Sequence, residues 1–371
     1  MNHKVLMCGN DAMSEAAVRA GCRFYFGYPI TPQNEVTAYM SWRMPEVGGT
    51  FIQAESEIAA VNMVFGAAAV GARAMTSSSS PGISLKQEGI SYLCGCELPA
   101  VIANVVRGGP GLGSIGPSQA DYFQATRGGG HGDYRTITLA PSTLQELVDL
   151  TYLSFDLADK YRNPVLILSD GVLGQMMEPA VLPEMMDGKL PPKPWALTGA
   201  RNRLPNVIRS LYLDVDLLEK LNLKLGHKFR EMEQQEVRFE EFNVTDAVLP
   251  PRPAGLSRGR HAPAADLILV AYGSVARICR SAVRRLRQAG QRVSLFRPIT
   301  VWPFPYEPLA TAAERAKALL VVEMSMGQMI EDVKLAVGRC RPIGFFGRVG
   351  GCVMSVEEVV QEARKALEEV Q

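Results

Sequence analysis

At 371 residues, with 47% apolar and 21% charged side chains, the chain has the make-up of a soluble globular protein of about two or three domains. Its 39 basic and 38 acidic residues leave a net charge of +1, which gives no overall field for nucleic acid or for an anionic membrane surface. The opening Met1 to Cys8 lacks the long apolar core of a signal peptide. The longest uncharged stretch, Ile58 to Ala72, falls short of the ~20 residues that cross a bilayer. No membrane contact and a cytoplasmic location are expected.

Residues 1–182 alternate short apolar strands with helical stretches, the pattern of a parallel α/β sheet. Strands are expected at 24–27, 50–53, 73–76, 100–106, 136–139 and 164–168, the last ending at Ser169-Asp170-Gly171. Helices are expected at 11–20, 32–39, 57–70, 83–93, 119–126 and 143–160, with Ser142 as N-cap of the last. Residues 183–262 read as a linker carrying a long amphipathic helical arm, punctuated by Pro191-Pro192-Lys193-Pro194 and Pro250-Pro251-Arg252-Pro253. Leu211, Leu218, Leu225, Met232 and Phe239 recur at heptad spacing, widened by Val215 and Phe229. Asp214, Lys228 and Gln235 break a second apolar column, so an arm packed on its own domain or on a neighbouring subunit is favoured over a coiled coil. Residues 263–371 return to α/β: a buried strand at 266–274, a helix at 275–289 with one apolar face, and strands at 293–296 and 318–323.

The seven cysteines, at 8, 22, 94, 96, 279, 340 and 352, form no C-x-x-C pair. They are expected to be reduced single thiols rather than disulfides, metal ligands or the roughly four thiolates of an iron–sulfur cluster. Gly111 to Gly116 fits G-x-G-x-x-G and follows a strand, but Pro110 and Pro117 bracket it and no apolar helix begins inside it, which disfavours a dinucleotide site. Ser77 to Ser80 read equally well as cofactor contacts or as a hydrophilic turn before a helix. Gly128 to Asp133 is either a solvated loop or a carrier of His131 toward a reacting centre for proton transfer.

Glu57 stands at the first turn of an Ala-rich helix directly after a strand, with Ser56 placed to cap it and small residues such as Ala59, Ala60 and Gly66 allowing close backbone approach. By itself such a carboxylate complements the helix dipole, worth up to about 1 kcal/mol. Upstream, Tyr28-Pro29-Ile30-Thr31-Pro32 is a proline-framed loop with one aliphatic hydroxyl, and Arg107 follows the strand at 100–106.

Taken together these segments resemble the 2-oxoacid:ferredoxin oxidoreductase family. The run Tyr28 to Pro32 is its five-residue signature, and Ala54 to Gly66 is similar to the segment that carries its thiamine glutamate, placing that residue at Glu57 rather than Glu55. The resemblance implies that Glu57 and Pro29 meet the cofactor, with Glu57 hydrogen-bonded to the aminopyrimidine ring nitrogen. It further implies that Arg107 and Thr31 hold the substrate carboxylate, a task suited to a planar guanidinium. The runs 27–33, 76–83 and 128–134 are most similar to the alpha subunit of the branched-chain, 2-oxoisovalerate type.

The implied architecture is a pyrimidine-type thiamine diphosphate-binding domain followed by a transketolase C-terminal-like α/β domain. The implied reaction is CoA-dependent oxidative decarboxylation of a 2-oxoacid to an acyl-CoA and CO2, with electrons passed to ferredoxin. The same chemistry on 2-oxoglutarate or an aryl pyruvate, or a non-catalytic scaffold subunit, are the alternatives. Ser169-Asp170-Gly171 lacks the first Gly of the family's metal-binding Gly-Asp-Gly motif and its downstream Asn, so Asp170 is expected only to end a strand. Thiamine diphosphate is therefore expected to be shared with a beta subunit that grips the diphosphate. Magnesium and iron–sulfur clusters are expected on partner subunits, beta, gamma and a ferredoxin-like delta, with no metal on this chain.

Overall fold

The computed structural model describes residues 4–186, 190–242 and 265–369. The first part of the chain runs β1 (Lys4–Cys8), α1 (Gly9–Arg19), β2 (Phe24–Gly27), α2 (Asn34–Glu46), β3 (Thr50–Gln53), α3 (Glu57–Ala69), β4 (Ala74–Ser78), α4 (Ser80–Gly95) and β5 (Ala100–Val106). It continues with α5 (Tyr122–Arg127), β6 (Ile137–Leu139), α6 (Leu144–Tyr161), β7 (Pro164–Asp170), α7 (Gly171–Gln175) and β8 (Met177–Val181). The arm α8 (Val215–Gln235) and β9 (Phe239–Phe242) follow. The last part holds β10 (Ala265–Val270), α9 (Gly273–Gln288), β11 (Val293–Pro298), β12 (Thr300–Trp302), α10 (Tyr306–Glu314), β13 (Ala316–Glu323), α11 (Met329–Val337), β14 (Ile343–Gly347) and α12 (Val356–Glu368).

A seven-stranded sheet is ordered β12-β6-β7-β5-β4-β2-β3, and every pairing in it is parallel except that of β12 with β6. Its centre is β5 and β7, whose residues are all buried, as expected for strands covered on both faces. Their register runs from Ala100↔Pro164 to Val106↔Asp170, so both strands end at the same level. A five-stranded sheet, β14-β13-β10-β11-β9, is parallel apart from β9, and β1 pairs antiparallel with β8. The expected α/β class and parallel sheets are thus observed.

Several local expectations are corrected. Helix α6 is capped by Thr143, whose hydroxyl accepts from Glu146 N at 3.2 Å, and not by Ser142. Ser142 instead donates its N–H and hydroxyl to the Glu146 carboxylate, both at 2.8 Å. Helix α2 begins after Gln33 and runs past Tyr39 through Pro45. Of the heptad residues, Leu211 precedes α8 and Phe239 lies on β9, stacked on Phe296 at 5.4 Å between ring centroids. Leu225, Phe229 and Met232 are buried, Phe229 edge-on to Trp302, so the end of the arm packs on its own chain. Val215, Leu217, Leu218 and Leu223 are exposed. The Pro250–Pro253 punctuation lies outside the described residues.

The two α/β units are tied together at several points. Strand β12 adds an edge to the sheet of the first, while Gln119 exchanges hydrogen bonds with the Met324 backbone at 2.8 and 3.0 Å. Arg297 on β11 is buried and bonds Glu146 of α6 at 2.5 and 2.9 Å and Glu240 of β9 at 2.8 Å. Breaking a fully buried ion pair costs about 3–5 kcal/mol. Here both carboxylates retain some solvent contact, which reduces that figure. Arg297→Leu is expected to lower unfolding free energy by about 2 kcal/mol, read from urea denaturation.

Candidate active site at the carboxyl ends of the strands

In open parallel sheets ligands sit beyond the carboxyl ends of the strands. Here β2, β3, β4 and β5 lead to the Tyr28–Pro32 loop, to Glu57, to Ser78–Gly82 and to Arg107 respectively. After β3 the chain turns at Ala54, whose N–H bonds Gly27 O at 2.9 Å, and enters α3. Ser56 caps this helix, its hydroxyl accepting from Ala59 N at 3.2 Å. Glu55 is exposed, whereas Glu57 is only 6% exposed. Among the described residues nothing donates a hydrogen bond to the Glu57 carboxylate, a state that favours an incoming donor.

Helix α4 packs directly on this residue. A Cβ at Gly82 would stand 2.6 Å from Glu57 Oε1 and 2.0 Å from Ser78 Oγ, so any side chain there would displace both groups. One turn further, Lys86 is fully buried, and its Nζ donates to Glu57 O at 3.3 Å and to Thr76 Oγ1 at 3.1 Å. Burial pushes the Lys86 ammonium down to about 8, partly opposed by the Glu57 charge.

Arg107 is 8% exposed and caps the end of the buried β5. Ser80 Oγ accepts from Arg107 N at 3.1 Å and donates to Arg107 O at 3.3 Å, which fixes its main chain. Its guanidinium donates to Thr31 O and to Leu112 O, each at 3.0 Å, while Nε is buried without a partner. Among the described residues no carboxylate pairs with it. A buried, under-used guanidinium is a ready receptor for a planar anion. Thr31 Oγ1 accepts from Asn34 Nδ2 at 3.1 Å, and Pro29 is exposed on the same loop. The structure thus brings Thr31 and Arg107 into contact and sets the Ser78–Gly82 segment between Arg107 and Glu57.

Beneath the loop runs a buried polar chain. Tyr25 hydroxyl shares a 2.6 Å bond with Ser77 Oγ, which donates to Gln33 Oε1 at 2.5 Å, and Gln33 Nε2 donates to Tyr28 O at 3.2 Å. Asn10 adds a bond to Pro32 O at 2.9 Å. Ser77 to Ser80 are all buried, so their reading as a hydrophilic turn is not what the structure shows; Ser77 and Ser80 act as struts, while the Ser78 and Ser79 hydroxyls find no partner among the described residues. The sequence offered no sign of the parts played by Gly82 and Lys86 beyond their spacing of four on one helix face.

The remaining candidates lie elsewhere. Gly108 to Gly116 closes on itself, with Gly108 N bonded to Gly116 O at 2.8 Å, and its base meets Gly350 and Gly351. It leads into no helix at once, and Leu112 and Ile115 are 82% and 67% exposed. His131 is exposed, and its loop is anchored by Gly129 N to Gln87 Oε1 at 2.9 Å; no described contact links it to Glu57 or Arg107. Asp170 ends β7 and caps α7, accepting from Val172 N at 2.9 Å and Leu173 N at 3.2 Å, with Ser274 on its other oxygen. All seven cysteines are free thiols, and no group of three or more His, Cys, Asp or Glu gathers among the described residues.

The Lys86 ammonium yields a stability prediction. A folded-state value near 8 against an ordinary 10.5 means that the fold binds this proton less tightly than the unfolded chain. The resulting penalty is fully present below pH 8 and is relieved as pH rises toward 10.5. Lys86→Met is expected to raise unfolding free energy by on the order of 3 kcal/mol at pH 7. That gain should shrink across this alkaline window, as read from denaturation midpoints.

Comparison with known proteins covers both α/β units. The family described as pyruvate flavodoxin/ferredoxin oxidoreductase, thiamine diphosphate-binding, matches residues 15–200, and pyruvate:ferredoxin oxidoreductase core domain II matches residues 265–359. The ketoisovalerate oxidoreductase subunit VorB of Methanothermobacter marburgensis is 50% identical over 357 residues, covering 96% of each chain. The 2-oxoglutarate synthase subunit KorA of Methanocaldococcus jannaschii is 35% identical over 377 residues, covering 95% of this chain and 97% of that one. The solved 2-oxoglutarate:ferredoxin oxidoreductase of Magnetococcus marinus superimposes with a TM-score of 0.83 at 26% identity, covering 99% of this chain and 66% of that one. A split-gene transketolase, at 15% identity and a TM-score of 0.57, shares the fold. With both α/β units matched in order and relatives alike over nearly their full length, the chain belongs to the 2-oxoacid:ferredoxin oxidoreductase family, and its first unit is that family's thiamine diphosphate-binding domain.

Proposed function

We propose that this chain is the alpha subunit of a CoA-dependent branched-chain 2-oxoacid:ferredoxin oxidoreductase, working on 2-oxoisovalerate or a close aliphatic relative. The observation that carries the reading is the pairing of two incomplete groups at one end of the sheet. Among the described residues, the carboxylate of the buried Glu57 receives no donor and the buried guanidinium of Arg107 has an unpartnered Nε. The first suits a ring N–H and the second a carboxylate.

Thiamine diphosphate, when bound, supplies the carbon nucleophile for attack on a ketone and the electron sink for loss of CO2. Glu57, with Pro29 nearby on the facing loop, would hold its aminopyrimidine end, the absence of a Cβ at Gly82 leaving the carboxylate free to turn toward the ring. Arg107 would clamp the substrate carboxylate, with the Thr31 hydroxyl as a further donor. His131 takes no part in this scheme.

Other subunits complete the reaction in this proposal. The edge strand β3 and the adjoining helices leave Ile52, Ile58 and Leu85 exposed around Glu57, a surface suited to a beta subunit that grips the diphosphate and its magnesium. Gamma and delta subunits would add CoA handling and iron–sulfur relays to ferredoxin. The aliphatic substrate is favoured by the 50% and 49% identities to two ketoisovalerate subunits, against 34–35% for four 2-oxoglutarate subunits. It also fits the stretch 108–119 beside Arg107, which carries no Lys or Arg for a second carboxylate.

The test is co-expression with the partner subunits, followed by viologen reduction with CoA across branched, aryl and dicarboxylic 2-oxoacids. Branched substrates should give the highest kcat/KM; a preference for 2-oxoglutarate would overturn the substrate assignment. Glu57→Gln should cut kcat by at least about 100-fold without loss of assembly. Arg107→Lys should mainly raise KM, by about tenfold or more, because one ammonium does not reproduce a bidentate fork. An unchanged KM would remove Arg107 from substrate binding.

A further inference from the structure

We infer that Lys86 is a positioning residue for Glu57, a buried cation that pins the first turn of α3 and so holds the Glu57 carboxylate where it receives the cofactor. This inference rests on the proposed role of Glu57.

Three observations support it. First, Lys86 is fully buried in the middle of α4, yet no carboxylate lies within ion-pair distance of its Nζ among the described residues. An ammonium has three donors, and those of Lys86 meet two recorded acceptors, Glu57 O and Thr76 Oγ1. Second, Gly82 and Lys86 lie four apart on α4 and both touch the same residue, one beside its carboxylate and the other at its backbone carbonyl. That spacing places them on one helix face. Third, a methionine would fill the volume of Lys86 without desolvating a charge, so the lysine is locally unfavourable to the fold. Such local conflicts mark functional positions.

The electrostatics run in one direction. Glu57 from α3 is the charge that acts on Lys86, and β4 presents to it the Thr76 hydroxyl. The ammonium thus bonds the first turn of α3 on one side and β4 on the other. The bond to the Glu57 carbonyl stops the turn from shifting when the carboxylate is pulled toward a ligand. Lys86 itself transfers no proton and touches no substrate in this scheme.

The test is a double-mutant cycle in the complex assembled with its partner subunits, with thiamine diphosphate affinity as the readout. Lys86→Met should weaken binding about tenfold when Glu57 is present and should add no loss in the Glu57→Gln background, because neighbours that act together are non-additive. Lys86→Gln, carried through the same cycle, serves if Lys86→Met does not assemble. Equal losses in both backgrounds would make Lys86 a packing residue and overturn the inference. Glu57→Gln leaving affinity unchanged would instead overturn the Glu57 assignment, a separate result.

Discussion

The site depends on one short stretch of buried hydroxyls and glycine at the junction of β4 and α4. Ser77 reaches sideways through Gln33 to the Tyr28–Pro32 loop, Ser80 clasps the main chain of Arg107, and Gly82 leaves the gap that Glu57 occupies. Ser77 and Ser80 are buried, so their hydrogen bonds must be satisfied within the protein, and that requirement fixes three loops of the candidate site relative to one another. Ser77 and Ser80 are therefore scaffolding for the candidate site.

Much of this was legible in the sequence, for identifiable reasons. Strands β5 and β7 are continuous apolar runs, and such runs separated by helical stretches have few readings other than a parallel sheet. Thr31, Glu57 and Arg107 are candidates drawn from a motif, and Ser56 was recognisable as a cap from local chemistry. Strands β1, β8, β9 and β12 were not legible, because each is short and owes its conformation to a partner distant in sequence. Phe239 shows how periodicity misleads: it keeps the heptad spacing of α8 but lies on a strand, where it packs against Phe296. Lys86 was hidden for a different reason. Within Leu85-Lys86-Gln87-Glu88 it reads as part of a solvated helix face, and only the approach of α3 makes it an interior charge.

The second α/β unit contributes to the first by position. Gln119 and Ser118, on the segment that follows the Arg107 loop, bond to the Met324 backbone, and Gly350 and Gly351 press on the base of that loop. Asp332 of α11 accepts from Tyr122 at 2.6 Å and from Arg127 at 2.8 Å, and so steadies α5 as well. The loop that carries Leu112 toward Arg107 is thus braced from both sides, although its tip is open.

Strand β12 has a consequence for how the protein can be cut apart. It is a three-residue ribbon from the far unit, and it covers the hydrogen-bonding flank of β6, a strand with no exposed residue of its own. A fragment ending before it would bare that flank as an apolar ledge, the kind of surface on which chains stack edge to edge. The cofactor-binding half is therefore not a self-sufficient module, and its solubility is borrowed from the sequence that lies beyond it.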